Sequence, residues 1–285
     1  MLRLQTSDGW WLVTHPDHAH LAGDFASHWG NDLFVRPEPR EHVLRGIYAH
    51  DDGWRARDAC PVIARQGKPA AFSSELVGAY SAFEEIDLEA YLAVRRSAVQ
   101  LIAQEDAYAA ILISMHTHNL LSARADRSTI RPEKLPLLDA FLEEQKLFQE
   151  QLHNQIAAGG EFSGEEAAWS KLNEHFRLLQ ATDNLSLLSC VDFHGDATLL
   201  HPLATRDGGA MEVKVERIGE RSFRLAPYPL DGQELTFQVP ARFVRGVEFG
   251  SSEQLQAAFA AAPLQQLDVH ISSYDRPMSR VEDCK

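Results

Sequence analysis

In the stretch YAHDDGW, residues 48–54, an imidazole and two carboxylates end the apolar line of a helix and precede a glycine and a tryptophan. Groups of these types at the inward end of a helix are suited to holding a metal ion or moving a proton. Helical spacing decides which of them point inward, since each residue turns about 100° around the axis. In PDHAHLAGDFASHWGN, the residues Leu21, Ala22, Phe25 and Trp29 share a side with His18, whereas His20 falls opposite and His28 on the flank. In a helix read from about Pro39 to Asp51, Val43, Leu44 and Ile47 define the apolar line. His50 and Asp51 straddle that line, and Asp52 points away. Tyr108, Leu112 and Met115 mark a later stripe, which carries His116 inward and His118 outward, and Asp183 lies within the stripe of Leu172, Phe176, Leu179, Leu187 and Cys190.

An ionised carboxylate costs several kcal/mol to desolvate unless it is paired or bound to a metal, so Asp51 and Asp183 need a partner. Neutral imidazoles do not supply it by charge, but a divalent cation pairs with the carboxylates and takes the imidazole lone pairs as well. His18, His50, Asp51, His116 and Asp183 are therefore the expected ligands. With N and O donors and no thiolate, the set suits one or two ions of iron, manganese, cobalt, nickel or zinc. The competing reading is a buried hydrogen-bond network, which accounts for any one of these histidines taken alone. Around the centre, the segment DDGWRARDACPVIARQGKP offers Trp54 for stacking or packing, Asp58 as base, orienter or turn cap, and Lys68 as an anion contact or a solvated charge. Gln145, on the stripe of Leu138, Phe141 and Leu152, is a neutral core-facing group.

The elements that must position these residues are mostly helical up to about His194. An N-terminal hairpin around Asp8-Gly9 comes first, helices fill the next stretch apart from a turn-rich loop near residues 54–80, and Gly159-Gly160 ends the longest helix. Beyond that, AMEVKVERIGERSFRLAPYPLDGQELTFQV alternates with period two, SSEQLQAAFAAA has capping-box spacing, and LQQLDVHIS returns to strand character. The expected division is a helical metal-binding domain over 1–194, a small strand-rich subdomain over 195–272 and a flexible tail over 273–285. The role of the strands stays open between covering an edge, closing a pocket and forming a homodimer contact. A formal net charge of -14 argues against a nucleic-acid partner, and no apolar run reaches the ~20 residues of a membrane span. Three scattered cysteines without CxxC spacing suggest neither disulfides nor thiolate zinc, and the first residues show no secretion signal, so a reducing cytoplasm is expected. Neither a GxSxG elbow nor a cysteine in a nucleophile motif is present, which argues against covalent acyl chemistry.

His18, the doublet His50-Asp51 and the late Asp183, in that order and with ATDNLSL around the last, resemble the HD-domain superfamily of metal-dependent enzymes. HPDHAHLAGDFASHWGN, HDDGWRARDACP, GKPAAF and SMHTHNL resemble more closely an uncharacterised bacterial family, a domain of unknown function. The superfamily resemblance implies a mainly α fold, an HD-like helical bundle with an N-terminal hairpin and a small C-terminal antiparallel β appendage. It also implies that the four residues hold one metal and that, in dinuclear members, the doublet aspartate bridges to a second ion held by further histidines. His116 is placed to be one of these. The expected activity is a metal-dependent hydrolase acting on a small phosphorylated molecule, with Asp51 orienting a metal-activated water. A di-iron oxygenase cleaving a small substrate, and a non-catalytic ligand-binding module, are the alternatives.

Overall fold

A computed structural model describes residues 1–71 and 87–273; the tail expected to be flexible lies, from residue 274 on, outside the described residues. Strands β1 (Leu2–Gln5) and β2 (Gly9–Val13) form the expected hairpin. Helix α1 (His15–Ser27) starts where the Thr14 side chain accepts from the Asp17 N–H and Pro16 occupies the first turn, so the donors left free at a helix start are partly satisfied. Helix α2 (Arg40–Ala49) ends at His50, and Asp51 leaves helical geometry with φ -118° and ψ 16°. A single 3-10 turn over Asp52–Trp54 then leads into the short α3 (Arg55–Asp58).

Asp87 and Asp106 cap α4 (Leu88–Ala103) and α5 (Ala107–Ser122). Helix α6 (Leu135–Gly159) stops where Gly160 turns left-handed at φ 71°, and α7 (Trp169–Cys190) follows. The remaining elements are β3 (Asp196–Thr198), β4 (Leu203–Ala204), β5 (Ala210–Met211), β6 (Lys214–Gly219), β7 (Ser222–Ala226), β8 (Glu234–Arg245), α8 (Ser252–Ala261) and β9 (Leu264–Ser273). As its spacing predicts, α8 is capped by Ser251, whose side chain accepts from the Gln254 N–H.

The sheet overturns the expected fold class. The N-terminal hairpin and the C-terminal strands form one seven-stranded mixed sheet in the order β1-β2-β8-β9-β7-β6-β3, in which β7 and β9 run parallel. The fold is α+β, and the strands build one large sheet rather than a small antiparallel appendage on a mainly α HD bundle. The joint that makes the difference is β2 against β8, with Trp10 opposite Val244 and Leu12 opposite Arg242. Periodicity reports which residues alternate, not which distant strand they pair with, so this joint has no local signature.

Alternation along β8 shows how the sheet carries the helices. Phe237, Val239 and Ala241 face the large core with Leu21 and Phe25 of α1 and Leu185 and Leu188 of α7. The rings of Phe25 and Phe237 meet edge-on with centroids 4.8 Å apart. On the opposite face, Val244 joins Trp10, Leu12 and the α8 residues Leu255 and Phe259. Helix α1 is thus fixed between the sheet on one side and α2 and α7 on the other, while α5 lies among α2, α4, α6 and α7.

The sequence reading gives Gly53 the task of letting the chain turn away after the doublet. Its structural reason is proximity: a Cβ there would sit 2.5 Å from the backbone oxygen of Val94 and 2.9 Å from the Ala98 Cβ. The turn after α2 rests directly on α4, one residue from Arg95. Gly53→Ala is expected to cost about 1–3 kcal/mol through overpacking. Thermal unfolding should show a melting temperature lower by several degrees, and an unchanged value would mean that α2 and α4 are free to move apart.

Candidate metal centre

Four helical elements deliver the cluster. Helix α1 supplies His18, the end of α2 supplies His50 and Asp51, α5 supplies His116 and α7 supplies Asp183, and all five are buried. Two overlapping sets have potential ligand atoms within 4.8 Å of one another: His18, His50 and Asp51, and His50, His116 and Asp183. Every metal ligand expected from the sequence is therefore brought to one place. His20 is exposed, and Asp52 bonds Arg55 outside the cluster, as their helical phase predicts.

The rings are held in defined orientations. His50 Nδ1 lies 2.7 Å from the carbonyl oxygen of Ile47, one turn back in α2, and donates its proton there. Its Nε2 lies 3.3 Å from Asp183 Oδ1 and 3.9 Å from Asp51 Oδ2, yet makes no aligned hydrogen bond. His18 Nδ1 lies 3.0 Å from Ser186 Oγ, and that hydroxyl already donates to the Asp183 carbonyl, so the ring nitrogen is the donor of the pair. His18 Nε2 consequently presents its lone pair to Asp51 Oδ2 at 3.1 Å. His116 places Nε2 3.9 Å from Asp183 Oδ2, and its buried Nδ1 has no hydrogen-bond partner.

Lone pairs facing carboxylate oxygens without a proton between them are repulsive, and a cation placed among them removes the repulsion. Two neighbouring ligands of one octahedral ion, each about 2.1 Å from it, stand about 3.0 Å apart. The 3.1 Å and 3.3 Å separations match that spacing. The donor set, the fixed tautomers and the orphaned nitrogens together fit a divalent ion.

Electrostatics define the charge that the cluster lacks. Burial favours the neutral form of Asp51, but Arg95, then His50 and His18, outweigh it and hold the carboxyl well below its ordinary range. Asp183 is also lowered, since His50, His116 and His18 overcome its burial. Burial alone would lower His50, but Asp51, Asp183 and the Ile47 carbonyl outweigh it and push the ring up to about 9. Burial dominates at His116 and pushes it down to about 3. Two carboxylates and the Arg95 guanidinium leave the cluster one positive charge short, which a proton on His50 or a bound cation supplies.

The pocket candidates separate. Trp54 stacks on His15 with centroids 4.3 Å apart, and Arg95 lies over its ring at 5.5 Å, so it forms a wall beside the centre. Asp58 is buried and engaged: its oxygens accept from the His15 backbone N–H at 2.6 Å and lie 2.9 Å from His15 Nδ1 and 3.0 Å from the Met1 amine. Despite burial, His15 and then the Met1 amine, both set against its oxygens, keep its pKa low. It is an orienter of His15, whose ring burial lowers to about 4. Gln145 accepts a hydrogen bond from Ser114 and lines a groove of about 450 Å³ between α4 and α6 instead of the cluster. Lys68 sits in a turn whose neighbour Gly67 bonds the Phe249 backbone, and no described contact joins it to the cluster.

Three residues around the centre were not among the expected ligands or pocket residues. Arg95 shares the inward face of α4 with Leu88, Tyr91, Leu92 and Val99, and that stripe was its signal: a buried base opposite buried acids. Ser186 lies three residues after Asp183, on the same side of α7. His15 lies three residues before His18. One turn further along α5 and α7, Gln180 donates to Asn119 at 3.0 Å and accepts from His201 at 2.5 Å, extending the polar seam beyond Asp183.

Ser186→Ala removes the acceptor that fixes His18. Since partners of ligand histidines are typically worth 10–100-fold in metal affinity, the substitution is expected to weaken binding of the first ion about tenfold without unfolding the protein. Metal titration of the metal-free protein checks this, and an unchanged affinity would remove the tautomer argument.

Among the described residues, no helix is long and apolar enough to cross a membrane. No curated protein and no solved structure matches the chain. The family described as Protein of unknown function (DUF3891) matches residues 1–246, which span the hairpin, all five cluster residues and β8, and the chain belongs to that family.

Proposed function

We propose that the chain is a metal-dependent hydrolase acting on a small phosphorylated molecule. The observation that carries the reading is the pair of histidines, His18 and His50, whose Nδ1 protons are committed elsewhere while their Nε2 atoms face Asp51 and Asp183. The resemblance of the ordered set to HD-type metal enzymes supports the same class. His18, His50, Asp51 and Asp183 would hold the ion, with His116 adjacent. A divalent ion there supplies a water of lowered pKa and polarises a phosphoryl oxygen.

The chain's own residues do the rest. With a dication, two carboxylates and Arg95, the buried site carries one net positive charge, which favours an anionic substrate. Asp51 Oδ1 is bound by Arg95, leaving Oδ2 to face the ion, through which Asp51 would orient the attacking water. The water oxygen bonds to phosphorus, the bond from phosphorus to the ester oxygen breaks, and a proton from the water ends on the departing alcohol. Trp54 and His15, stacked and held by Asp58, wall the site.

Protein expressed without a histidine tag is expected to contain metal and to release phosphate from at least one member of a broad phosphomonoester panel. Chelation should abolish release and added manganese should restore it. Asp183→Asn should lower metal affinity by more than about tenfold, because it replaces a charged ligand with a neutral one. Metal-loaded protein that releases no phosphate from any member would end the hydrolase reading, and protein that takes up no metal would end the metal reading.

A further inference from the structure

We infer that Arg95 is a built-in second cation that restricts this centre to a single metal ion. The inference rests on the metal-binding reading above and concerns how many ions the site accepts.

A carboxylate that bridges two ions through both of its oxygens gives one to each. Asp51 has only one to give: Oδ2 faces His18 and His50, while Oδ1 is bound by Arg95 Nη1. The guanidinium is fixed in place. Its Nε donates to the Tyr91 hydroxyl at 3.0 Å, it lies 5.2 Å and 5.5 Å from the Tyr91 and Trp54 ring centroids, and both Arg95 and Asp51 are almost fully buried. A buried arginine held on several sides has no solvated position to retreat to.

The remaining ligands lead to the same count. The two candidate sets share His50, which has a single lone pair to offer because its other ring nitrogen donates to Ile47. An ion bound by His18, His50, Asp51 and Asp183 uses that lone pair. Among the described residues this leaves a second ion His116 Nε2 and Asp183 Oδ2, 3.9 Å apart. Two protein ligands are fewer than the three that hold a catalytic zinc ion. Charge adds a further barrier: a second dication would raise the buried site from one net positive charge to three. Arg95 thus occupies the second ion's place on Asp51 and supplies part of its charge.

A purely structural Arg95 would make the same ion pair, so the test must separate the two roles. Metal-free full-length protein without a histidine tag is titrated with manganese(II), and stoichiometry is read by calorimetry and elemental analysis, with electron paramagnetic resonance reporting whether ions are magnetically coupled. The wild type is expected to bind one ion per chain with an uncoupled spectrum. Arg95→Met, which frees Asp51 Oδ1 and removes the charge, is expected to bind two ions with a coupled spectrum. Arg95→Lys, which keeps the charge, stays at one. Two ions in the wild type, or one in a folded Arg95→Met protein, overturns the inference while leaving the metal reading intact. If circular dichroism shows that Arg95→Met does not fold, the decision falls to the other two proteins: one uncoupled ion in both supports the role, and two in either overturns it. No uptake by the wild type overturns the metal reading, and this inference with it.

Discussion

Two buried aspartates that both reach the His50 ring, at 3.9 Å and 3.3 Å from its Nε2, are the constraint on which the rest of this structure turns. Asp51 and Asp183 both face the space occupied by His18 and His50, and neither has water to lean on. Repulsion between two dry carboxylates is far larger than between solvated ones, so the fold must surround them with positive charge and hydrogen donors or lose their ionised form. Arg95 answers for one oxygen of Asp51, and a proton on His50 or a bound cation answers for the charge that remains. The aromatic packing of Trp54 and Tyr91 around Arg95 serves the same requirement, because it keeps the guanidinium where the carboxylate needs it.

Holding such a cluster requires elements that do not give. Helices α1, α2, α5 and α7 each contribute residues to the cluster, and each is anchored at a different place: α1 on β8 through Phe25 and Phe237, α2 on α5, and α7 across the core to the hairpin strand β1. The sheet is therefore part of the site's support even though it contributes no ligand. Closing β2 onto β8 ties the first residues of the chain to its last third. That closure sets the position of α1, which follows β2 after a single capping residue, and so the position of His18.

The polar seam does not stop at the cluster. Ser186 fixes His18, Gln180 and Asn119 continue one turn away, and His201 sits at its end with a left-handed backbone, φ 65°. A non-glycine residue held at positive φ stores strain that its surroundings must offset. The bond from His201 Nε2 to Gln180 is the contact in place to do so. The structure thus keeps a continuous line of satisfied polar groups along α7 where an apolar helix face would have packed more simply.

What the sequence determined alone was local. Period 3.6 placed His18, Asp51, His116 and Asp183 inward and His20 and Asp52 outward, because a helix fixes direction from spacing. Ser251 and Gly160 marked helix ends because caps act within a turn of the chain. What only tertiary structure decided depends on meetings between distant segments. The seven-stranded sheet arises from β2 pairing with β8, a choice that neither strand's alternation contains, and reading the strands as an appendage failed there. Arg95 and Ser186 were visible as residues but not as partners, since their importance lies in which acid and which imidazole the packing sets beside them. Asp58, which the sequence leaves open between base, orienter and turn cap, has its oxygens committed by the fold to His15 and the Met1 amine. Direction is a property of one helix and can be computed from spacing; proximity belongs to the whole chain and is fixed only once the core has closed.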